Sequence, residues 1–138
     1  MVSGAGFVVF KKFQNEIKFL GLIGPKFHQE RCKGIYDITK GSIDPGESAL
    51  AAAIREAKEE ASYNIELKDI ISGPFVDGML TMWLAEVYTD PVLGINPYNG
   101  IIEHTGFKWL TASELKNSCY NYLYPSINWA CNQAKKLL

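Results

Sequence analysis

The sequence predicts an α/β domain in which a mixed β-sheet lies between helices. Several short runs rich in β-branched and aromatic residues are typical of strands, and turn residues separate them. An alanine-rich segment, residues 47–61, has the composition of a helix with one apolar stripe. A second helical segment, residues 125–137, closes the sequence. Helices on both faces of a sheet are a stable way to bury these apolar faces.

Composition limits the classes of function. The 138 residues, 47% hydrophobic and 21% charged, are expected to form one domain, residues 1–138. The formal net charge of −1 gives no sign of a nucleic-acid-coating surface, so stable nucleic-acid binding is not expected. Three widely spaced cysteines form neither a metal motif nor a disulfide framework, which is typical of the cytoplasm. Neither a membrane span nor a signal peptide is expected from the sequence.

The first part of the chain is predicted to be extended. Residues 4–11 and 17–23 are the first two strands, with a turn between them. Residues 36–39 form a short extended piece before the long helix. Residues 25–33 are polar and are predicted as a loop, most often a solvated one. This loop carries four potential phosphate-binding cations: Lys26, His28, Arg31 and Lys33.

The part after the long helix is predicted to alternate strands and helices. Residues 65–71 are predicted as a strand that Ser72-Gly73-Pro74 ends. Residues 78–88 are nearly all apolar, which indicates a central strand. A loop at residues 90–100 leads to a strand at residues 103–110.

Two capping signals mark the helices near the end of the sequence. Thr111 and Glu114 form the pattern of a capping box, which predicts the start of a short helix. Pro125 suits the first turn of the last helix. The apolar stripe of that helix is predicted at four positions: Ile127, Ala130, Ala134 and Leu137.

Residues 40–63, KGSIDPGESALAAAIREAKEEASY, join a tight turn to the predicted long helix. Pro45 and Gly46 suit the turn, because proline presets φ and glycine accepts a positive φ. Residues at helical spacing form an apolar stripe that should face a core: Leu50, Ile54, Ala57 and Ala61.

Three acids, Glu56, Glu59 and Glu60, are expected on a flank away from this stripe. Carboxylates three and four residues apart repel by a few tenths of a kcal/mol per pair. A divalent cation would turn this repulsion into ligation. An acidic helix flank on its own is more often a solvated surface. Three alanines are expected on the same side, where they leave room for a polyanion or a neighbouring loop: Ala49, Ala52 and Ala53.

The spacing of this segment resembles the Nudix box, G-x5-E-x7-R-E-U-x-E-E-x-G-U, in which U is a bulky apolar residue. All six fixed positions from the first glycine to the last glutamate are matched, by Gly41, Glu47, Arg55, Glu56, Glu59 and Glu60. Ala57 and Tyr63 occupy the apolar positions, and Ser62 replaces the last glycine. Since glycine there would cap the helix, this replacement concerns the cap and not the acids.

The resemblance extends over most of the chain, although only the box is specific. The stretches SGAGFVVF, Lys40-Gly41, IDPGES, Glu103-His104 and Phe107-Lys108-Trp109-Leu110 are similar to the diadenosine tetraphosphate hydrolase branch of the Nudix superfamily. The resemblance implies a Nudix-type α/β/α sandwich. It also implies an enzyme in which water attacks a phosphorus of a nucleoside diphosphate linked to another group, with Mg²⁺ or Mn²⁺ neutralising the oxygens.

The resemblance also implies roles for individual residues. Glu59 and Glu60 would be metal ligands, and Glu56 would be either a ligand or the base. The backbone carbonyl of Lys40 or Gly41 would be a further ligand. Glu103 would be a further ligand or the base, the alternative being a surface acid at a strand edge. Arg55 and Glu47 are expected to pair and to hold the turn against the helix.

Substrate contacts are the least specific part of the prediction. Lys40 and His104 are candidates to contact phosphate, although a lone histidine is more often structural. Candidates to stack on a base are four aromatic residues: Tyr36, Tyr88, Phe107 and Tyr124. Most aromatic residues of the chain must lie in the core.

Three hypotheses of function follow. The first is a Nudix pyrophosphohydrolase acting on a dinucleoside polyphosphate, with nucleotide sugars, nucleoside triphosphates or the 5′ end of an RNA as alternative substrates. The second is a non-catalytic Nudix module that binds nucleotides or a protein; it would be favoured by the loss of an acid, but all are present. The third is a structural domain with an incidental acidic helix. The sequence leaves the oligomeric state open.

Overall fold

The computed structural model describes residues 3–95, 100 and 103–137. It contains the strands β1 (Gly4–Phe13), β2 (Glu16–Ile23), β3 (Tyr36–Asp37), β4 (Thr39–Ser42), β5 (Ile70–Asp77), β6 (Leu80–Glu86) and β7 (Gly106–Leu110). Its helices are α1 (Lys26–Cys32), α2 (Ala49–Ala61), α3 (Ala112–Ser118) and α4 (Tyr124–Lys135). Short 3₁₀ turns occupy Leu67–Asp69 and Asn121–Leu123. None of the helices described is long and apolar enough to cross a bilayer.

The strands form a mixed sheet in the order β3-β2-β1-β6-β5. β1 runs parallel to β6, whereas the other pairings between the described strands are antiparallel. The first half of β1 also pairs with β4, its second half pairs with β2, and β7 pairs with β2. β6 lies between β1 and β5, which confirms the predicted central strand.

Two apolar clusters cover the two faces of this sheet. Alternate residues of β1 enter different clusters, because successive side chains of a strand point to opposite faces. Val8 packs with Ile127 of α4 on one face, and Phe7 packs with Ala53 of α2 on the other. The predicted α/β/α sandwich with a mixed sheet is therefore confirmed.

The segment predicted as a loop at residues 25–33 is instead largely the short helix α1. Pro25 stands just before the helix with φ −63°, a value that its ring presets. Lys33 ends the helix in a left-handed conformation, and its N–H donates to the carbonyl of Gln29. Because α1 buries none of its side chains, it lacks the apolar periodicity from which helices are predicted.

The strand predicted at residues 65–71 is also wrong. Glu66 and Asp69 form a reciprocal capping box around the 3₁₀ turn, so the chain does not extend until Ile70. The strand then continues through Ser72-Gly73-Pro74, which was predicted to end it. β5 is an edge strand with two register shifts, and such edges tolerate proline.

The long helix α2 starts at Ala49, two residues after the predicted start, because Ser48 caps it by accepting a hydrogen bond from the N–H of Ala51. Ala52 and Ala53 are buried against the sheet and do not leave room beside the acids as predicted. The helix ends before Ser62, whose left-handed backbone (φ 62°) takes the conformation of the glycine it replaces.

Three further boundaries concern the last third of the chain. β7 starts at Gly106, so Glu103 and His104 precede the strand in which they were predicted. Thr111 and Glu114 form the predicted capping box of α3. Pro125 lies in the first turn of α4, as predicted.

Candidate active site

A cleft of about 650 Å³ lies beside α2 and β4. It is lined by residues of α1, the β3–β4 region, α2, the segment before β7 and the 3₁₀ turn before α4. Six carboxylates line it: Asp37, Asp44, Glu56, Glu59, Glu60 and Glu103. The acids of the Nudix-like segment therefore meet the distal acid Glu103 in one space.

Arg55 connects the turn to the acids of α2. Its Nε donates to Glu47 Oε2 at 2.9 Å, and its Nη2 donates to the Ser42 carbonyl at 2.9 Å. Its Nη1 donates to Glu56 Oε1 at 2.9 Å and to Glu59 Oε2 at 3.4 Å. The hydrogen bond from Arg55 lowers the pKa of Glu47 to about 2. The expected pair of Arg55 and Glu47 is present, and the same guanidinium orients two further acids.

Gly41 is where β4 approaches the carboxylate of Glu56. A Cβ at Gly41 would lie 2.1 Å from the carboxyl carbon of Glu56. Burial raises the pKa of Glu56, although Arg55 partly opposes this shift. Glycine is thus needed here for close approach, in contrast to Gly46, whose φ of 80° meets the need of the turn.

Glu60 is the most buried of the three acids of α2 that line the cleft. It is 7% exposed, and its Oε1 accepts a hydrogen bond from the backbone N–H of Lys40 at 2.8 Å. Burial raises its pKa well above the ordinary value, with the nearby Asp37 adding to the effect. The three acids line one cleft on a flank away from the apolar stripe, and Glu60 is the buried member among them because β4 packs against α2.

Asp37 joins the two predicted phosphate-binding residues. Its carboxylate lies 3.1 Å from Lys40 Nζ and 3.0 Å from His104 Nε2. Burial on its own would raise the pKa of Asp37, but Lys40 and His104 hold it below its ordinary value. Burial likewise opposes the charge of Lys40, yet Asp37 raises the pKa of Lys40 above its ordinary value. Sequence reasoning missed Asp37, which lies in a two-residue strand without a motif.

One group of side chains has the spacing of a metal site. Ligand atoms of Glu60, Glu103 and His104 all lie within 4.8 Å of one another. Glu56 and Glu59 line the same cleft. Carboxylate oxygens suit Mg²⁺ and Mn²⁺, which are hard cations. The residues present therefore fit a divalent cation of this kind.

The four predicted stacking residues do not line this cleft. Tyr36 belongs to the core beneath the sheet, and Phe107 packs against the cluster on the α2 face. Tyr88 and Tyr124 are exposed elsewhere on the surface. Among the residues that the structure describes, Phe27, Tyr120 and Tyr122 are the Phe and Tyr side chains that line the cleft. They lie on short elements without hydrophobic periodicity, so the pattern of the sequence did not single them out.

The segment after β6 crosses the end of α2. The N–H groups of Val92 and Gly94 donate to the carbonyls of Ala61 and Glu60, at 3.0 and 3.1 Å. The hydroxyl of Ser62 donates to the carbonyl of Val92 at 2.8 Å. A Cβ at Gly94 would lie 1.7 Å from the carbonyl oxygen of Glu59. These contacts satisfy carbonyls that the end of a helix leaves without intrahelical partners.

The family of the chain follows from comparison with known proteins. A model of the NUDIX domain matches residues 6–129, which include the cleft and its acids. The chain belongs to the Nudix family. The segment from Gly41 to Tyr63 is thus its Nudix box. Among curated proteins, the bis(5′-nucleosyl)-tetraphosphatase [asymmetrical] of Caenorhabditis elegans is 40% identical over 68 residues. That match covers 48% of this chain and 44% of the relative, so it spans less than half of the relative's length.

Solved structures agree with membership of the Nudix family. A binary complex of a C. elegans Ap4A hydrolase is 26% identical, with a TM-score of 0.66 and 93% of each chain covered. A Nudix hydrolase structure from Listeria monocytogenes has a TM-score of 0.69 at 13% identity, covering 99% of this chain and 96% of its own. The MutT protein of Methanosarcina mazei has a TM-score of 0.60 at 14% identity, covering 98% and 94%. The last two show similarity of fold alone.

Proposed function

We propose that this Nudix protein is a metal-dependent pyrophosphohydrolase of nucleoside diphosphate derivatives, with a dinucleoside polyphosphate such as diadenosine tetraphosphate as preferred substrate. The observation that carries the proposal is the convergence of Glu56, Glu59, Glu60 and Glu103 on one cleft. The C. elegans relatives named as tetraphosphatase and Ap4A hydrolase support this substrate class. Nucleotide sugars, nucleoside triphosphates and RNA 5′ ends are the alternative substrates.

The metal would be held by carboxylates on both sides of the cleft. Glu59, Glu60 and Glu103 are its side-chain ligands, with Glu56 and the carbonyl of Gly41 completing the candidate set. A bound Mg²⁺ or Mn²⁺ supplies charge neutralisation at phosphate oxygens and a lower pKa for bound water. Without a cation the same carboxylates repel one another. Arg55 offsets part of this repulsion through its contacts with Glu56 and Glu59.

The chain's own residues divide the remaining work. Glu56 takes a proton from the attacking water, since burial makes its carboxylate a stronger base than an ordinary one. Glu103 is the other candidate for this role. Arg55 holds Glu56 and Glu47 in place through its donors. Lys40 and His104 present positive charge or hydrogen-bond donors to phosphate, with Asp37 as their shared partner.

The base of the substrate needs an aromatic or apolar surface in the cleft. Phe27 and Tyr122 provide such surfaces, with 63% and 49% of their areas exposed. They replace the four aromatic residues predicted from the sequence. All three cysteines are free thiols, which supports a reducing compartment such as the cytoplasm.

The proposal is tested by assaying release of nucleotides from a panel of nucleoside diphosphate derivatives with Mg²⁺, Mn²⁺ or a chelator. We expect ATP and AMP from diadenosine tetraphosphate, and no turnover with the chelator. Glu59→Gln should lower kcat by about a hundredfold or more, the size expected when an essential charge-stabilising group is lost. The matched control, Glu66→Gln, removes an exposed acid outside the cleft and should leave kcat unchanged. Absence of turnover on every substrate would contradict the proposal.

A further inference from the structure

We propose that α1 forms a subsite for the second nucleotide of a dinucleoside polyphosphate. In this subsite Arg31 binds the distal phosphates and Phe27 stacks on the distal base. The inference rests on the proposed function, which requires a substrate with a nucleoside at each end. It assigns a role to the segment that lies between the first hairpin and the metal-binding acids.

The first argument concerns charge. A chain of four phosphates needs cations beyond those at the metal site, but most cations of the cleft are already paired. Arg55 contacts four acids, and Lys40 and His104 both contact Asp37. Over the ranges that the structure describes, no acidic side chain lies within salt-bridge distance of Arg31. The planar fork of a guanidinium is well suited to bind phosphate.

The second argument concerns the exposed aromatic ring. Phe27 and Arg31 are four residues apart on α1, so their side chains are neighbours on the helix surface. Both line the same cleft as the acids of α2. The ring of Phe27 is 63% exposed, and its recorded aromatic contact is a tilted one with His28 at 4.2 Å. A nucleotide whose base stacks on the ring of Phe27 would have its phosphates next to Arg31.

The third argument concerns the rigidity of α1. Gln29 Nε2 donates to the carbonyl of Gly24 at 2.8 Å, at the start of the helix. At its end, the N–H of Gly34 donates to the carbonyl of Gln29 at 3.1 Å. The N–H of Ile35 then donates to the carbonyl of Ser118 in α3 at 2.8 Å. A surface fixed in this way loses little conformational entropy when a ligand binds.

The test compares two substrates that differ only at the distal end. Diadenosine tetraphosphate has two nucleosides, whereas adenosine tetraphosphate has the same phosphates and one nucleoside. Phe27→Ala should raise KM for the dinucleotide by about tenfold or more, as expected for the loss of base stacking, and should leave KM for the mononucleotide unchanged. Arg31→Gln should raise KM for both substrates, because both retain the distal phosphates. In both variants kcat should stay close to that of the parent.

Control variants separate a subsite from a general effect on folding. Phe27→Trp keeps an aromatic face and should show the same ratio of the two KM values as the parent. Phe27→Leu keeps apolar area without an aromatic face, and its ratio should resemble that of Phe27→Ala. Leu67→Ala and Lys68→Gln remove an exposed apolar and an exposed basic side chain outside the cleft, and should change neither KM.

Two negative results have different meanings. If the parent hydrolyses diadenosine tetraphosphate but Phe27→Ala leaves the ratio of the two KM values unchanged, the α1 subsite is refuted and the proposed function stands. If the parent hydrolyses no dinucleoside polyphosphate, the preferred substrate and the subsite are both refuted.

Discussion

The carboxylate of Glu60 accepts a hydrogen bond from the backbone N–H of Lys40 at 2.8 Å, in the buried contact between α2 and β4. This bond uses one lone pair of Oε1, so the carboxylate keeps acceptor sites for a metal. The carboxylate is also largely removed from water, and this desolvation raises the pKa of Glu60. The buried negative charge of Glu60 therefore suits metal ligation, but it destabilises the folded state when no cation is bound.

Replacement of Glu60 by glutamine should stabilise the metal-free protein above neutral pH. A raised pKa means that the folded state binds this proton more tightly than the unfolded state, so the contribution of Glu60 to stability is lost as pH rises through the folded pKa. Glutamine keeps the acceptor for Lys40 but does not titrate. With chelator at about pH 8, the free energy of unfolding should exceed that of the parent by about 1 kcal/mol or more, the equivalent of one pKa unit. If the free energy of unfolding changed with pH in the same way in Glu60→Gln and in the parent, this expectation would be wrong.

Addition of Mg²⁺ or Mn²⁺ should reverse the order of stability of these two proteins. A cation that binds the folded parent alone adds about 2.7 kcal/mol at a hundred times its Kd. Glu60→Gln should show little of this gain, and Glu66→Gln should show all of it. Differential scanning fluorimetry across a metal titration measures the shifts. A shift of the same size in all three proteins would place the cation elsewhere.

Substitution of Gly41 by alanine should affect activity more than stability. The added Cβ meets the far end of the Glu56 side chain, which can rotate away at small cost, but the carboxylate then leaves its position. We expect kcat to fall by about ten- to a hundredfold, as for misplaced groups near a reacting centre. Gly106→Ala is the control, because among the described residues its Cβ would meet Ile23 alone, at an ordinary distance of 3.5 Å. Equal kcat values for the two variants would argue against this role of Gly41.

Arg55→Lys should reduce activity although the positive charge is kept. Lysine lacks the planar fork that contacts Glu47, Glu56 and the Ser42 carbonyl together. Loss of such an orienting partner typically lowers metal affinity or activity by about 10–100-fold. Steady-state assays at several Mg²⁺ concentrations would show whether kcat or the apparent metal affinity changes. A variant indistinguishable from the parent would show that charge alone is sufficient.

Two buried tyrosines should respond in opposite ways to loss of the hydroxyl. Tyr63 donates to the carbonyl of Thr89 at 2.8 Å, so Tyr63→Phe should lower the free energy of unfolding by about 1 kcal/mol. The hydroxyl of Tyr120 has no hydrogen-bond partner among the residues that the structure describes. Tyr120→Phe should therefore be neutral or stabilising by up to about 1 kcal/mol. Chemical denaturation of both variants measures the difference, and a clear loss of stability in Tyr120→Phe would contradict the expectation.

The sequence could predict the parts of the site that depend on local geometry. The resemblance to the Nudix box implies the pair of Arg55 and Glu47 within one continuous segment, and the structure contains it. The further contacts of Arg55 with Glu56 and Glu59 lie in the same segment but were not predicted. The order of the predicted strands and helices along the sequence likewise predicts the α/β/α sandwich. These relationships need no knowledge of how distant segments pack.

The parts that the sequence could not predict depend on contacts between distant segments. Glu60 is buried because β4 packs beside α2, and Asp37 meets His104 across 67 positions of the chain. Phe27 lies on a helix that buries no side chain, so its pattern resembles that of a loop. For α1, Pro25 before the first turn was the available signal, and for the turn at residues 67–69 it was the pair of acids at residues 66 and 69.

The segment that crosses the end of α2 limits how this protein can vary. Its hydrogen bonds to the helix use main-chain groups, so the exposed side chain of Val92 is open to exchange during evolution. Position 94 is confined to a residue without a Cβ, because any other would push against the backbone of Glu59. This position at the edge of the cleft thereby constrains where an acid of the box is held.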